Sequence, residues 1–249
     1  MDKVKSQRKW MKSSFAEMEE VQSDQQLKIT QPPLTKAYED KDNIINLPKV
    51  NESVLVKTNI LELINNRKSQ RSYTNQNISL DELSFLLWST QGVKEIRGDN
   101  YATIRTVPSA GARHPFETYL AVSKVEGLKK GIYRYLPLTH QLLLVFEEEN
   151  LEEKISELSL GQKFAGNCAV TFIWSAVPYR GEWRYNIVAH KAMLLDAGHV
   201  CQNLYLACEA IGCGTCAIAA YDQDKFDSFL KLDGEDEFVV YLAPVGKLA

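Results

Sequence analysis

The segment from Ala189 to Ile211 constrains the fold of this 249-residue chain most strongly. Its apolar residues lie around most of the circumference of a helix, a pattern that is typical of a helix at the centre of a domain. Such a helix needs more burial than one small domain provides, so we expect a homodimer. Gly212 follows the segment and is predicted to cap the helix in the left-handed conformation.

The elements around this helix mix helices and strands without strict alternation, which indicates an α+β fold with a mixed, largely antiparallel sheet flanked by helices. A capping box at Ser79-Leu80-Asp81-Glu82 predicts a helix that stops at Gly92. Further helices are predicted at 60–66, 151–160 and 224–230, and strands at 118–122, 132–135, 142–146, 170–176, 216–221 and 238–242. Loops are predicted at 93–107 and 177–186, which carry glycine and other turn-forming residues.

Residues 1–55 are polar and are interrupted by Pro32-Pro33 and Pro48, so we expect an N-terminal arm there rather than a domain. Residues 56–249 carry the regular pattern and are expected to form a single domain. A basic run between Lys3 and Lys12 lies in the arm, where we expect it to be solvated.

The composition excludes several classes of protein. Hydrophobic residues make up 45% of the chain and charged residues 24%, as in ordinary soluble proteins. A net charge of −3 argues against a nucleic-acid binder. The N-terminus lacks the features of a secretory signal, and no stretch is long and apolar enough to span a bilayer. We therefore expect a cytoplasmic protein that binds neither nucleic acid nor membrane.

The five cysteines are an odd number in a chain without a secretory signal, which indicates reduced thiols rather than disulfides. Cys213 and Cys216 form a C-x-x-C pair, but this pair follows a helix, whereas a redox pair opens one. A zinc site would need two further ligands at suitable spacing, and the sequence offers none. We expect the cysteines to be small buried residues, and we expect no metal site.

The basic segment, Arg67-Lys68-Ser69-Gln70-Arg71-Ser72-Tyr73, packs three cations and three hydroxyls into seven residues. Arginine offers a planar fork of donors, lysine a point charge and serine a short hydroxyl, which together suit a phosphate group. Taken alone, a solvated basic turn at the end of a helix is the simpler interpretation. The rest of the chain favours the phosphate site.

Two segments of small residues allow close approach to a partner or ligand. The small-residue loop, Pro108–Pro115, offers backbone N–H groups and the Ser109 hydroxyl just before a strand, although a tight loop between two prolines is the simpler interpretation. Gly212-Cys213-Gly214-Thr215-Cys216-Ala217 matches G-x-G-x-x-A, but it ends a helix, whereas the dinucleotide motif opens one. We therefore reject a Rossmann site, and we expect the glycine loop, Gly212–Thr215, to approach another strand or a flat ring.

On the long helix, Asp196, His199 and Asn203 lie at the spacing of helical neighbours. An Asp–His pair on a buried helix is more often a core hydrogen bond than part of a metal site or a catalytic triad. No nucleophile is placed beside this pair. We favour the structural interpretation.

The order of these motifs resembles that of the FMN-dependent nitroreductase superfamily, in its SagB-type, azoline-oxidising branch. The matching segments are Arg67–Tyr73, the Leu-Leu-Trp-x-x-Gln-Gly run that ends at Gly92, Pro108–Gly111 before a strand with Tyr119, Gly131–Tyr135, Leu195–Ala207 and Tyr241–Gly246. The resemblance covers the chain from about residue 58 to its end, and its specificity lies in the shared order of the motifs.

This resemblance implies a nitroreductase-like FMN-binding domain over residues 56–249 that dimerises through its long helix, with two FMN pockets built by both subunits. The basic segment would hold the FMN phosphate and ribityl chain, the small-residue loop would come from the partner chain, and the glycine loop would place a backbone N–H near flavin N5. The implied cofactor-binding residues are Arg67, Lys68, Ser69, Arg71, Pro108, Ser109, Ala110, Gly111, Gly212, Cys213, Gly214, Thr215 and Lys247.

The implied catalytic residues are Arg184 and Tyr185, which stand where azoline-oxidising members carry a Lys-Tyr pair near the flavin. Arginine stays protonated and cannot be the general base that lysine can be. The implied function is reduction of a small electrophile by NAD(P)H, with hydride transfer through flavin N5. The alternatives are a peptide azoline dehydrogenase and a flavin-binding protein without turnover.

Overall fold

One long helix stands out among shorter elements in the computed structural model, which describes residues 2–39 and 43–249. The helices are α1 (Lys3–Gln7), α2 (Ile60–Asn66), α3 (Leu80–Gln91), α4 (Leu151–Leu158), α5 (Lys163–Gly166), α6 (Tyr179–Tyr185), α7 (Ala189–Ala210) and α8 (Gln223–Phe229). The strands are β1 (Ile44–Asn46), β2 (Val93–Arg97), β3 (Ala102–Arg105), β4 (Phe116–Val122), β5 (Gly131–Leu136), β6 (Gln141–Glu147), β7 (Val170–Ala176), β8 (Cys213–Thr215) and β9 (Phe238–Lys247).

The main sheet has seven strands in the order β1-β6-β5-β4-β7-β9-β8, and every neighbouring pair is antiparallel. Helices α3 and α7 cover one face, where Leu120 and Phe172 point into the core with Leu204. Helices α4, α5 and α8 cover the other face. All residues of β4 and β7 are buried, as expected for strands covered on both faces. The predicted α+β fold is confirmed.

Most of the predicted elements are present. Helix α2 and strand β7 have the predicted bounds, and the long helix ends one residue early, at Ala210. The capping box opens α3, with both of its side-chain hydrogen bonds formed. Gly212 has a φ of 69°, so its predicted left-handed conformation is confirmed.

The predicted loop at 93–107 is wrong, because this segment forms the antiparallel hairpin of β2 and β3. The turn-forming residues lie in its centre, where Gly98 and Asn100 adopt positive φ values of 61° and 53°. They connect two strands instead of marking an irregular segment.

The predicted loop at 177–186 is also wrong, since residues 179–185 form helix α6. Pro178 lies at the N-terminus of this helix, where proline is tolerated. Gly181 marks a close contact between helices, because a Cβ there would lie 2.6 Å from Cε of Met193 in α7.

The predicted strand at 216–221 is absent. Its only strand-like contact within the described residues is a single bridge between Ile218 and Leu242. The strand lies earlier, where residues 213–215 of the predicted glycine loop form β8 and pair with the extended end of β9.

Described parts of the N-terminal arm are hydrogen-bonded to α6 and to the main sheet. The backbone N–H of Gln25 donates to the carbonyl of Trp183, and Trp183 Nε1 donates to the carbonyl of Ile29, each at 2.9 Å. Further along, Glu117 of β4 accepts the amide of Lys36 at 2.8 Å and Nη2 of Arg180 at 2.6 Å. The basic run near the N-terminus is exposed, as predicted.

Within the described residues, no helix combines the length and apolar character that crossing a membrane requires.

We predict that Glu117→Ala destabilises the protein by about 3–5 kcal/mol, because it leaves the Arg180 guanidinium buried without its carboxylate partner. The two side chains are 3% and 5% exposed, so water cannot replace the lost ion pair. The free energy of unfolding is measured by urea denaturation. Glu149→Ala is the matched control, since Glu149 is exposed and none of the ion pairs among the described residues includes it. A loss below about 1 kcal/mol for Glu117→Ala would contradict the structural role.

Candidate active site

The basic segment lies along the outer edge of β8. Ser69 forms a parallel bridge with Thr215, and the Gln70 amide donates to the carbonyl of Thr215 at 2.9 Å. Further along, the Thr74 amide donates to the carbonyl of Lys247 at 2.9 Å. The structure therefore brings together the basic segment, the glycine loop and the end of β9, which the sequence predicted as parts of one site.

Two glycines allow this close contact. A Cβ at Gly214 would lie 2.6 Å from Cγ of Gln70, and a Cβ at Gly246 would lie 2.7 Å from Cβ of Tyr73. Tyr73 also donates its hydroxyl proton to the carbonyl of Gln70 at 2.7 Å. Any larger residue at either glycine would push the basic segment away from β8 and β9.

The two arginines of the basic segment contact aromatic rings instead of carboxylates. The Arg67 guanidinium lies 5.2 Å from the ring centre of Tyr205, and the Arg71 guanidinium lies 5.9 Å from that of Phe164. None of the ion pairs formed among the described residues includes Arg67, Lys68 or Arg71. Lys68 and Ser69 are exposed, so these donors are available to an anion.

Lys247 differs from these cations, although it was predicted with them. Its ammonium forms an ion pair with Glu82, whose other carboxylate oxygen accepts the Ser79 amide in the capping box of α3. The Lys247 carbonyl accepts the amide of Thr74, directly after the basic segment, but the Lys247 ammonium is already neutralised by Glu82.

The small-residue loop is fixed against α7 rather than against the basic segment. The Ala110 amide donates to Oδ2 of Asp196 at 3.0 Å, and Ser109 Oγ accepts the amide of His114 at 2.9 Å. Burial raises the pKa of Asp196, while the hydrogen bonds from Ser109 and Ala110 act in the opposite direction. These contacts are consistent with a structural role for Asp196. The expected core hydrogen bond to His199 is not formed, since the His199 side chain is 51% exposed and its Nδ1 lies 3.7 Å from Oδ1 of Asp196.

Arg184 and Tyr185 lie next to this loop. Gly111 has a φ of 57°, and a Cβ there would lie 2.7 Å from the Tyr185 hydroxyl and 2.8 Å from Arg184 Nε. The Arg184 guanidinium donates to the Tyr101 hydroxyl at 3.3 Å. Trp183, by contrast, is 5% exposed and hydrogen-bonded to Ile29, so it anchors α6 to the N-terminal arm.

The structure thus forms two groups of predicted residues on opposite flanks of α7. The small-residue loop contacts Asp196, whereas the basic segment contacts Tyr205. These residues are nine positions apart, which corresponds to about 14 Å along the helix and about half a turn around it. No hydrogen bond or ion pair among the described residues joins the two groups.

Between these flanks, α7 has an exposed stripe that contains Leu194 and Leu195, with exposed fractions of 64% and 58%. Gly198 lies in the same stripe, and a Cβ built on it would have no atom within 4 Å.

The cysteines are free and buried. Burial raises the pKa of Cys213 to about 12 and that of Cys168 to about 11, so neither thiol is a nucleophile at neutral pH. Across residues 2–39 and 43–249, no group of three His, Cys, Asp or Glu side chains is placed to hold a metal ion.

Tyr205 and Glu82 are site residues that were not predicted from the sequence. Tyr205 lies in the long-helix motif, but its contact with the basic segment joins residues 136 positions apart. Glu82 was assigned only to the capping box, which uses one of its two carboxylate oxygens.

Comparisons with known proteins agree with this architecture. A sequence model of the nitroreductase family matches residues 64–247. The chain is 31% identical over 203 residues to a protein of Methanocaldococcus jannaschii described as a nitroreductase, and the match covers 82% of this chain and 96% of that protein. It is 28% identical over 164 residues to the trifolitoxin-processing protein of Rhizobium leguminosarum bv. trifolii, covering 63% of this chain and 44% of that protein.

A crystal structure of a nitroreductase-like protein from Ralstonia eutropha has a TM-score of 0.69 at 24% identity, covering 88% of this chain and 99% of that one. This likeness confirms the predicted fold. The relation to a trifolitoxin-processing protein supports the predicted SagB-type branch. From its family match over residues 64–247 and its relative in Methanocaldococcus, the chain belongs to the nitroreductase family and is an oxidoreductase.

Proposed function

We propose that this chain is an FMN-dependent oxidoreductase of the cytoplasm that uses NAD(P)H to reduce a small electrophilic substrate. The observation that carries the proposal is the cluster of Arg67, Lys68 and Arg71, which has no carboxylate partner among the described residues and lies against β8. Unneutralised cations next to an exposed serine hydroxyl are suited to a phosphate group. Residues 56–249 would be the FMN-binding domain and residues 1–55 an arm.

The chemistry of the two groups fits a flavin mononucleotide. The basic segment supplies charged donors for the phosphate, and the glycine loop and small-residue loop offer backbone with little side-chain bulk for a planar ring. The Thr215 hydroxyl is buried and has no hydrogen-bond partner among the described residues, which leaves one polar group of this region unsatisfied.

Each residue then has a distinct role. Arg67, Lys68 and Ser69 would bind the phosphate, and Arg71 would lie near the pyrimidine edge of the ring. When bound, FMN supplies the hydride chemistry. Tyr185 would donate or orient a proton at the substrate, and Arg184 would stabilise negative charge that develops there.

We also propose a homodimer with two shared sites, supported by the exposed stripe of α7. A glycine inside a helix costs about 1 kcal/mol relative to alanine. No neighbour within this chain requires Gly198, because the space around its missing Cβ is open. Close approach of a second helix explains the glycine. Two-fold pairing of the stripe would bring the basic segment of one protomer near the small-residue loop of the other.

Peptide azoline dehydrogenation is a second candidate, favoured by the 28% identity to a trifolitoxin-processing protein. In that case the chain would remove two hydrogens from a thiazoline or oxazoline. Mass spectrometry of a synthetic thiazoline peptide incubated with the flavin-loaded protein distinguishes this candidate, since conversion to the thiazole removes the mass of two hydrogens.

We predict that Arg67→Ala weakens FMN binding by roughly 10- to 100-fold and changes riboflavin binding little, because a charged hydrogen bond to the phosphate is lost. The affinities of the flavin-free protein are measured by titration of flavin fluorescence. Arg97→Ala is the matched control, since Arg97 is paired with Glu95 in β2. Equal loss of affinity for both flavins would exclude Arg67 as a phosphate ligand.

We predict that the protein is a dimer and that Gly198→Glu converts it to a monomer with reduced FMN content, since the new side chain fits within one chain but blocks a second helix. Size-exclusion chromatography with light scattering gives the mass. Lys154→Glu places the same side chain on α4 as a control. A wild-type monomer that retains its flavin would rule out shared sites.

We predict that Tyr185→Phe slows oxidation of the reduced flavin by the second substrate about 100-fold, because a proton donor is lost. FMN content and anaerobic reduction by NADH or NADPH should stay near the wild-type values. Stopped-flow absorbance separates the two half-reactions. Tyr179→Phe on the same helix is the control.

Unchanged oxidation rates with several electrophiles would mean that Tyr185 has no chemical role. A wild-type flavin that neither NADH nor NADPH reduces would favour the flavin-binding protein without turnover.

A further inference from the structure

Tyr205 connects three parts of the candidate phosphate site. Its hydroxyl lies 3.0 Å from Ser69 Oγ in the basic segment. The same hydroxyl accepts the amide proton of Ala217 at 2.9 Å. Its ring lies 5.2 Å from the Arg67 guanidinium. One side chain of α7 thereby contacts two of the three proposed phosphate ligands, Arg67 and Ser69, and the backbone that follows β8.

The Ala217 contact favours Tyr205 as the donor in its hydrogen bond with Ser69. A tyrosine hydroxyl has one proton to donate, and a backbone N–H can only donate. Since Ala217 N–H uses an acceptor position on Tyr205, the hydroxyl proton of Tyr205 is free to point at Ser69 Oγ. No other acceptor for this proton is found among the described residues. The resulting order is Ala217 N–H to Tyr205 O–H to Ser69 Oγ.

This order leaves the hydroxyl proton of Ser69 unused within the chain. Ser69 is exposed, so its O–H can donate to a ligand that approaches from solvent. Hydrogen bonds in such a chain polarise one another, which makes the terminal hydroxyl a better donor. The Arg67 guanidinium beside the Tyr205 ring adds a cation next to this donor.

We infer that Tyr205 is the positioning residue of the phosphate subsite, which it organises by directing the Ser69 hydroxyl proton outward and by holding the Arg67 guanidinium over its ring. This inference rests on the proposed function, since it assigns Tyr205 to the phosphate end of FMN. Tyr205 contacts the ligand-binding residues and acts through them.

The test is Tyr205→Phe, which keeps the ring under Arg67 and removes both hydrogen bonds of the hydroxyl. FMN affinity of the flavin-free protein should fall about tenfold, because the Ser69 donor is no longer oriented. Riboflavin affinity should be unchanged, because riboflavin has no phosphate. Tyr221→Phe is the matched control, since the Tyr221 hydroxyl is also hydrogen-bonded to the backbone, as donor to the carbonyl of Val239, but lies on the opposite face of the sheet.

The double variant Tyr205→Phe with Ser69→Ala separates positioning from a general loss of structure. If Tyr205 acts through Ser69, the double variant should bind FMN no more weakly than Ser69→Ala alone. Additive losses, or equal losses of FMN and riboflavin affinity in Tyr205→Phe, would overturn the inference.

The phosphate site and the role of Tyr205 in it would be refuted by different results. A wild-type protein that binds FMN no better than riboflavin would refute the phosphate site itself. A wild-type preference for FMN that Tyr205→Phe keeps in full would refute only the role of Tyr205. The midpoint of urea unfolding, measured on each flavin-free variant, verifies that the compared proteins are folded.

Discussion

The packing of α7 against the main sheet is the interaction on which the rest of the structure depends. One side of the helix is buried against β4, β7 and β9, with Leu204 fully enclosed. Both groups of candidate site residues are attached to its flanks, through Asp196 and Tyr205. A shift of α7 would therefore displace both groups at once. The exposed stripe is the surface of α7 that would be available for the proposed dimer.

The basic segment also covers an open edge of the main sheet. Strand β8 is at the edge of the sheet, and an open edge exposes unpaired backbone groups. The segment covers this edge through the bridge between Ser69 and Thr215 and the hydrogen bond from the Gln70 amide. Gly214 is required because any side chain there would collide with Gln70. The candidate cofactor-binding cations are thus held in place by the same contacts that complete the sheet.

The fold could be predicted from the sequence where local patterns determine the structure. The buried run of β7 and the capping box of α3 are such patterns, and both are present as predicted. Helix α6 was mistaken for a loop because Gly181 resembles a helix breaker. In fact it provides room for Met193, a contact that depends on tertiary packing.

The candidate site, like the fold, could be predicted only where local patterns determine it. Its cations and small residues are visible in the sequence because phosphate chemistry needs those residue types in one place. The residues that position them could not be identified from the sequence. Tyr205 contacts Ser69 from a distant part of the chain, and Glu82 was explained by its capping role alone. Such contacts are determined by how α3, α7 and β8 come together, which local patterns do not specify.

The cations of the basic segment have no acidic partner among the described residues. Several half-buried and buried cations in the described chain have acidic partners, as in the pairs Lys57–Glu209, Lys247–Glu82 and Arg180–Glu117. Glu82 pairs with Lys247, whose carbonyl accepts the amide of Thr74 directly after the basic segment. The two arginines of the segment, by contrast, lie beside aromatic rings. Rings stabilise a cation without neutralising it. An anionic ligand bound at this segment would neutralise charges that no carboxylate among the described residues neutralises. The absence of an ion-pair partner for these cations among the described residues therefore supports the proposed binding site over a solvated turn.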